Sequence, residues 1–411
     1  MKVQRKEKRR LPRRTLLFRT SVILAAAGLL LILFFTFDGY GKSVQTEVQP
    51  EAQANTVVSS QGGQAPETTS VTILGTGDNL IHEALYEHAK TADGSYDFRP
   101  YYKKVKSYIS AADIATLNQE TPIATSIYEP SGYPCFNTPT QNGDALIDTG
   151  FDVINQGNNH ILDMGPEGIE ATLNYWQAKN IPVTGAYRNE DDLQNIRIIE
   201  KNGIKVAFLG FVEMTNGNEL PADSPLRIVY TSDTDVVKQL IQKAKSMADV
   251  VVVHAHWGNE DDYKLSDNEV TLSQEMVDWG ADIIFGNHVH VLQELKVLTR
   301  KSDGAQCPVM YAFGNFLSGQ EDINELISGL LTVTVTKDLS TAKTTVTDLK
   351  FKPIVTHYEG DRENLCIYPL SEYTEQLAEK HGVNQFMSGF SLDFIKKIVN
   401  QSIPKEYQDN T

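Results

Sequence analysis

The stretch IIFGNHVHV, residues 283–291, begins as an apolar run and ends with His288 and His290 on either side of Val289. Read as an extended strand, it places both imidazoles on the same side of the chain at the edge of a core. Two weak bases so placed point to something that shares their lone pairs, and a metal ion suits them. The same form, an apolar run with an unusual polar end, recurs along the chain. VTILGTG (71–77), ADIATLN (112–118), FDVINQG (151–157), KVAFLGF (205–211) and ADVVVVHAHWG (248–258) all read as buried strands. Helical periodicity fills stretches between them, at 166–179, 234–247 and 268–279, and the alternation predicts an α/β fold. Later, 308–317, 330–338 and 344–358 read as strands without intervening helices, which predicts a second, largely antiparallel sheet. Residues 391–403 read as a terminal amphipathic helix.

GTGDN, LNQET, GNNH, HAHWGNE and GNHVH each follow the C-terminal end of a predicted strand, the edge at which open α/β sheets bind ligands. This rim gathers Asp78, Glu120, Asn159, His160, His256, His288 and His290. Each has a local alternative: Asp78 as a turn residue, Asn158 and Asn159 as helix caps, His256 as a core histidine. Those alternatives must all hold at once, at five strand ends, to remove the site. Mixed nitrogen and oxygen donors suit Mn, Zn or Fe, one ion or two; an all-oxygen Mg or Ca site has no need of three imidazoles. His254, two residues before His256, faces the same side of its strand and is a further candidate, as is His82, read as the first turn of a helix. Asn118, Glu213 and Glu260 lie near the rim, and Asn315 in GNF either orients a ligand or turns the chain.

Charge divides the chain. Residues 1–20 carry nine Lys or Arg and one Glu, +8, so the remainder carries −24 of a net −16. A body this acidic is a poor partner for nucleic acid. Residues 21–37 are uncharged and apolar apart from Ser21 and Thr36, and as a helix they reach roughly 25 Å, near the lower limit for a bilayer span. No A-x-A site and no lipid-accepting cysteine follows, so a signal anchor is expected rather than a cleaved peptide, with the acidic body outside the cytoplasm. Residues 38–70 have a linker's composition, rich in Gln, Ser, Thr, Gly and Pro. Cys135, Cys307 and Cys366 are too few and too scattered for a disulfide scaffold.

The ordered set GTGDN, NQETPI, NQGNNHILDMG, HWGNE, GNHVHVLQ and YAFGNFL resembles the poly-γ-glutamate capsule biosynthesis family, the CapA-type proteins, across residues 71–316. The resemblance implies a layout of basic segment (1–20), transmembrane anchor (21–37), stalk (38–70), CapA-type domain (71–370) and C-terminal helical extension (371–411). The family in turn resembles calcineurin-like metallophosphoesterases, which implies a four-layer α/β/β/α sandwich and a two-metal site. Carried over residue by residue, one metal takes Glu120, Asn159, His256 and His288. The other takes Asp78, Glu120 and His290, because Leu80 stands where that superfamily has a second histidine. His160 becomes the acid facing substrate. Three functions follow as alternatives. One is a membrane-anchored accessory of capsule polymer synthesis or export, working with an anionic polymer and with capsule synthase subunits. Another is a cell-envelope metallophosphoesterase acting on a phosphorylated substrate. The third is a non-catalytic binding scaffold of the same fold.

Overall fold

The computed structural model describes residues 67–410. The basic segment, the predicted anchor at 21–37 and the stalk up to residue 66 lie outside the described residues. Among those described, no helix is long and apolar enough to cross a membrane.

The strands, in chain order, are β1 Thr68–Leu80, β2 Ile114–Gln119, β3 Val153–Asn155, β4 Val183–Thr184, β5 Arg197–Lys201, β6 Ile204–Val212 and β7 Val250–His256. They continue with β8 Ile283–Asn287, β9 Leu295–Thr299, β10 Gln306–Met310, β11 Asn315–Ser318, β12 Ile327–Asp338, β13 Thr344–Glu359 and β14 Glu363–Pro369. They form two sheets. The first runs β14-β13-β12-β1-β2-β3-β4 with β11 also on β1, and the second runs β5-β6-β7-β8-β10-β9.

Two expectations need correcting. The late, helix-free strands do not make a sheet of their own. β12 pairs antiparallel with β1 from Thr68↔Asp338 to Gly75↔Leu331, so β12, β13 and β14 extend the first sheet. The six buried runs are instead divided, with β1, β2 and β3 in one sheet and β6, β7 and β8 in the other. Nor is 308–317 one strand. β10 lies beside β8 in the second sheet, whereas β11 lies parallel to β1 in the first, with Asp78 opposite Asn315. The chain crosses between sheets at 311–314, where Gly314 has φ +76°. A side chain on Gly77 would collide with the Gly314 carbonyl oxygen, so only glycine lets the crossing approach β1 this closely.

The apolar pattern explains the packing. Along β6, β7 and β8, Val206, Phe208, Val252, Ile283 and Phe285 join the core that also holds Ile73, Leu74 and Val333 of the first sheet. The alternate residues, Ala207, Leu209, Val251, Val253 and Ile284, face the other way. There they meet Leu240 and Ile241 of the helix Thr234–Met247 and Met276 and Val277 of the helix Asp267–Trp279. Ser266 and Glu269 close a capping box at the start of the latter helix. Helix Gly165–Ala178 contributes Ile169, Leu173 and Trp176 to the core of the first sheet.

After β14 the chain returns over β13. Asp409 N donates to Phe351 O (2.8 Å), and the Ser402 hydroxyl, at the end of helix Leu392–Ser402, donates to Leu292 O (2.9 Å). His381 is buried among Tyr358, Phe390 and His357. Its Nε2 donates to Thr356 O (3.0 Å) while its Nδ1 accepts from Val383 N (3.0 Å), which requires the neutral ring. Burial lowers its pKa from 6.5 to about 4. The unfolded chain therefore takes up this proton below about pH 6.5, and the folded chain only near pH 4. Stability contributed by the neutral ring falls as pH drops through that window, by about 3 kcal/mol in total. Urea unfolding midpoints measured between pH 7 and pH 4 are expected to fall less steeply in His381→Gln, by one proton's worth of slope. Equal slopes would show that the ring titrates normally.

Candidate metal centre

The C-terminal ends of β1, β2, β7 and β8, with the turn after β3, bring the rim residues together. Asp78 and Glu120 are fully buried. Asp78 Oδ1 accepts from Asn118 Nδ2 (2.7 Å) and Oδ2 from the backbone N of His288 (3.1 Å). Burial raises its pKa to about 6 against the pull of those hydrogen bonds. Glu120 has no hydrogen-bond partner on either carboxylate oxygen, and burial together with the neighbouring Asp78 pushes its pKa well up. Its Oε1 lies 3.6 Å from His256 Nε2 and 3.9 Å from His290 Nε2.

The three imidazoles are shifted the other way. Burial lowers His256 well below the ordinary value, helped by His288 and His290, and takes His288 to about 4 and His290 to about 3. Both ring nitrogens of His288 lack a partner, and its ring centroid is 4.8 Å from that of His256. Asn159 Oδ1 lies 2.9 Å from His256 Nε2. Two donor groups result, Glu120–His256–His288 and Asp78–Glu120–His290, each with its ligand atoms within 4.8 Å of one another and with Glu120 common to both.

These residues fit a divalent cation. Buried carboxylates driven toward the neutral acid, imidazoles held neutral, and orphaned oxygen and nitrogen atoms form an arrangement that costs stability as it stands. A dication satisfies the orphaned atoms and reverses the charge logic at once.

The local geometry differs from the expected strand. β8 ends at Asn287, and His288 (φ +100°) and His290 (φ +63°) both have left-handed backbone, so the two rings converge through a turn and not through strand alternation. Of the further candidates, Asn118 bonds Asp78 and also lies 3.3 Å from His256 Nδ1, joining the two groups. His254 joins neither; its Nε2 lies 2.9 Å from the Thr116 hydroxyl. His82 is the N-cap of a short helix, with its Nδ1 accepting from Gly319 N (3.2 Å). Glu213 accepts from Gly258 N (2.8 Å) and shapes the HWG turn. Glu260 lies on the exposed side of the rim, with its carboxyl raised by partial desolvation and partly countered by His160. Asn315 Oδ1 sits 3.1 Å from His290 Nδ1.

His160 is edge-on to Phe136 (4.7 Å), and its Nδ1 lies 2.8 Å from the buried carboxylate of Asp163. Sequence reasoning quoted Asp163 inside NNHILDMG without giving it a role; its spacing three residues after a histidine was the available signal. Asn216, 3.4 Å from both Asn159 and His160, was missed, and no pattern in its irregular segment marks it.

A two-sheet α/β protein with a buried carboxylate–imidazole cluster at its strand ends is the class that fold and site define. The chain belongs to the bacterial capsule synthesis protein family PGA_cap, whose model matches residues 72–320. It is 31% identical over 265 residues to the capsule biosynthesis protein CapA of Bacillus anthracis, covering 62% of this chain and 61% of that one. It is 32% identical over 222 residues to the PGA biosynthesis protein CapA of Bacillus subtilis strain 168, covering 53% and 57%. The chain thus spans about three fifths of the length of these relatives. Among solved structures, a phosphatase from Mycoplasma pneumoniae superposes with TM-score 0.45 at 15% identity, over 70% of this chain and 95% of that one. The NAD nucleotidase of Haemophilus influenzae gives 0.43 at 11%, over 84% and 58%.

Proposed function

We propose that this protein is a membrane-anchored, extracytoplasmic component of capsule polymer synthesis or export, with a metal-dependent hydrolytic site. One observation carries the chemical half of this reading: two buried donor groups meet at a carboxylate, Glu120, that has no other partner. Family membership supports the biological half, and the basic head followed by residues 21–37 supports the anchor and its orientation. The reading takes residues 71–370 as one CapA-type unit of four-layer, metallophosphoesterase-like type, and 371–411 as a helical extension. Its substrate is an anionic polymer or a phosphorylated envelope compound, and capsule synthase subunits are its partners. The acidic body disfavours broad adsorption of a polyanion, so the polymer meets the protein at the cation site.

Glu120, Asn159, His256 and His288 would hold one Mn, Zn or Fe ion, and Asp78, Glu120 and His290 a second. When bound, such a cation supplies Lewis acidity toward an ester, amide or phosphoryl oxygen. The chain's own residues do the rest. Asn118 fixes Asp78. Asp163 holds the Nδ1 proton of His160 and so fixes the ring, leaving Nε2 to carry a proton to the departing oxygen or nitrogen.

A non-catalytic scaffold is favoured by one fact only, the three-residue donor group left where Leu80 replaces a histidine. In the producing cell, His288→Ala is expected to abolish or sharply reduce surface polymer while the protein persists at normal level. Unchanged polymer with normal protein would overturn the metal-dependent role.

A further inference from the structure

At the second cation position the motif comparison supplies three ligands, Asp78, Glu120 and His290. The geometry points to Asn315 as its fourth protein ligand, its side-chain oxygen taking the place of the imidazole that Leu80 lacks; the inference rests on the two-cation reading above. Three observations meet here. First, β11 is laid parallel against the end of β1 in a register that sets Asn315 opposite Asp78, on the strand from which the imidazole is missing. Second, the amide is oriented. Its Nδ2 donates to Gln320 Oε1 (2.7 Å) and to Glu325 O (3.3 Å), so the acceptor oxygen is the atom turned toward His290. Third, an asparagine oxygen meets an imidazole at each position, here on the His290 nitrogen, Nδ1, that faces Asp78 Oδ2 (3.7 Å). Asn159 Oδ1 lies 2.9 Å from His256 Nε2, and Asn315 Oδ1 lies 3.1 Å from His290 Nδ1. A carboxamide–imidazole contact thus marks each position once.

The buried Asn315 also lies beyond the reach of bulk water. A carboxamide oxygen is a neutral donor, so this position gains a ligand without a third buried negative charge beside Asp78 and Glu120. The outcome is two four-donor positions sharing Glu120, each with one asparagine.

The test uses the full chain in detergent and Mn²⁺ as the probe, with calorimetric titration and anomalous diffraction of Mn²⁺-soaked crystals. The wild type is expected to bind two ions, with one ion about 2.0–2.4 Å from Asn315 Oδ1. Asn315→Ala is expected to keep one ion at wild-type affinity and to bind the other about 10-fold or more weakly. Asn315→Asp, which keeps an oxygen in place, is expected to retain both; if the alanine variant does not fold, this variant and the wild-type diffraction decide. Two ions in the wild type with both retained unchanged in Asn315→Ala would overturn this inference alone. So would an ion seated on His290 with Asn315 oxygen more than about 3 Å away, or a single wild-type ion at Glu120–His256–His288. A wild type that binds no ion overturns the metal-centre reading and this inference with it.

Discussion

Purified Glu120→Gln, which replaces the shared carboxylate with a neutral donor, is expected to bind divalent cation roughly 100-fold more weakly. Its melting temperature is expected to ignore Mn²⁺ at concentrations that just saturate the wild type. The reason is that both donor groups depend on this one carboxylate. In the wild type, a cation present at about 1,000 times its dissociation constant stabilises the fold by about 4 kcal/mol, which raises the melting temperature by several degrees. The cation-free chains should rank differently. Glu120 is fully buried with both oxygens unpaired and Asp78 beside it, so its removal relieves desolvation and repulsion. Cation-free Glu120→Gln is therefore expected to melt no lower than the cation-free wild type. Metal analysis with differential scanning fluorimetry reads both effects, and a variant that binds and responds like the wild type would remove Glu120 from the centre.

The second large effect separates chemistry from binding. His160→Gln is expected to keep its full cation content while hydrolysis slows by a factor on the order of 10² to 10⁴, the usual range for loss of a positioned general acid. Its ring stands outside both donor groups, braced by Asp163 and by the edge of Phe136. Turnover of a generic phosphodiester by the Mn²⁺-loaded chain, compared before and after the substitution, is the measurement. Equal rates would place the proton donor elsewhere, and Glu260, with its raised carboxyl, would be next to examine.

What could be read in advance was local. Buried parallel strands are continuous apolar runs, so VVVV at 250–253 and II at 283–284 announce themselves without reference to any partner. Which strand lies beside which is set by contacts far apart in sequence, and periodicity does not record them. Hence the division into two sheets and the attachment of β12 to β1 were not legible. The apolar run at 308–317 hid its break because Gly314 acts through a backbone angle and not through polarity. At the site, residue types at strand ends were legible because carboxylates and imidazoles are conspicuous beside apolar runs. The reason given for His288 and His290 was not the right one, since a left-handed turn, invisible to alternation, aims them. Asn216 sits in a segment with no pattern, and only the folded chain brings it to Asn159.

The hydroxyl of Ser402 on the Leu292 carbonyl has a bearing on how the protein is handled. It ties the last helix to the backbone two residues past His290, although that helix falls outside the segment matched by the family. Trimming the terminus for expression, or fusing a reporter directly to it, would remove a brace from behind the turn that carries His288 and His290. A shortened chain that binds ions poorly would then be reporting its missing buttress and not the chemistry of its ligands.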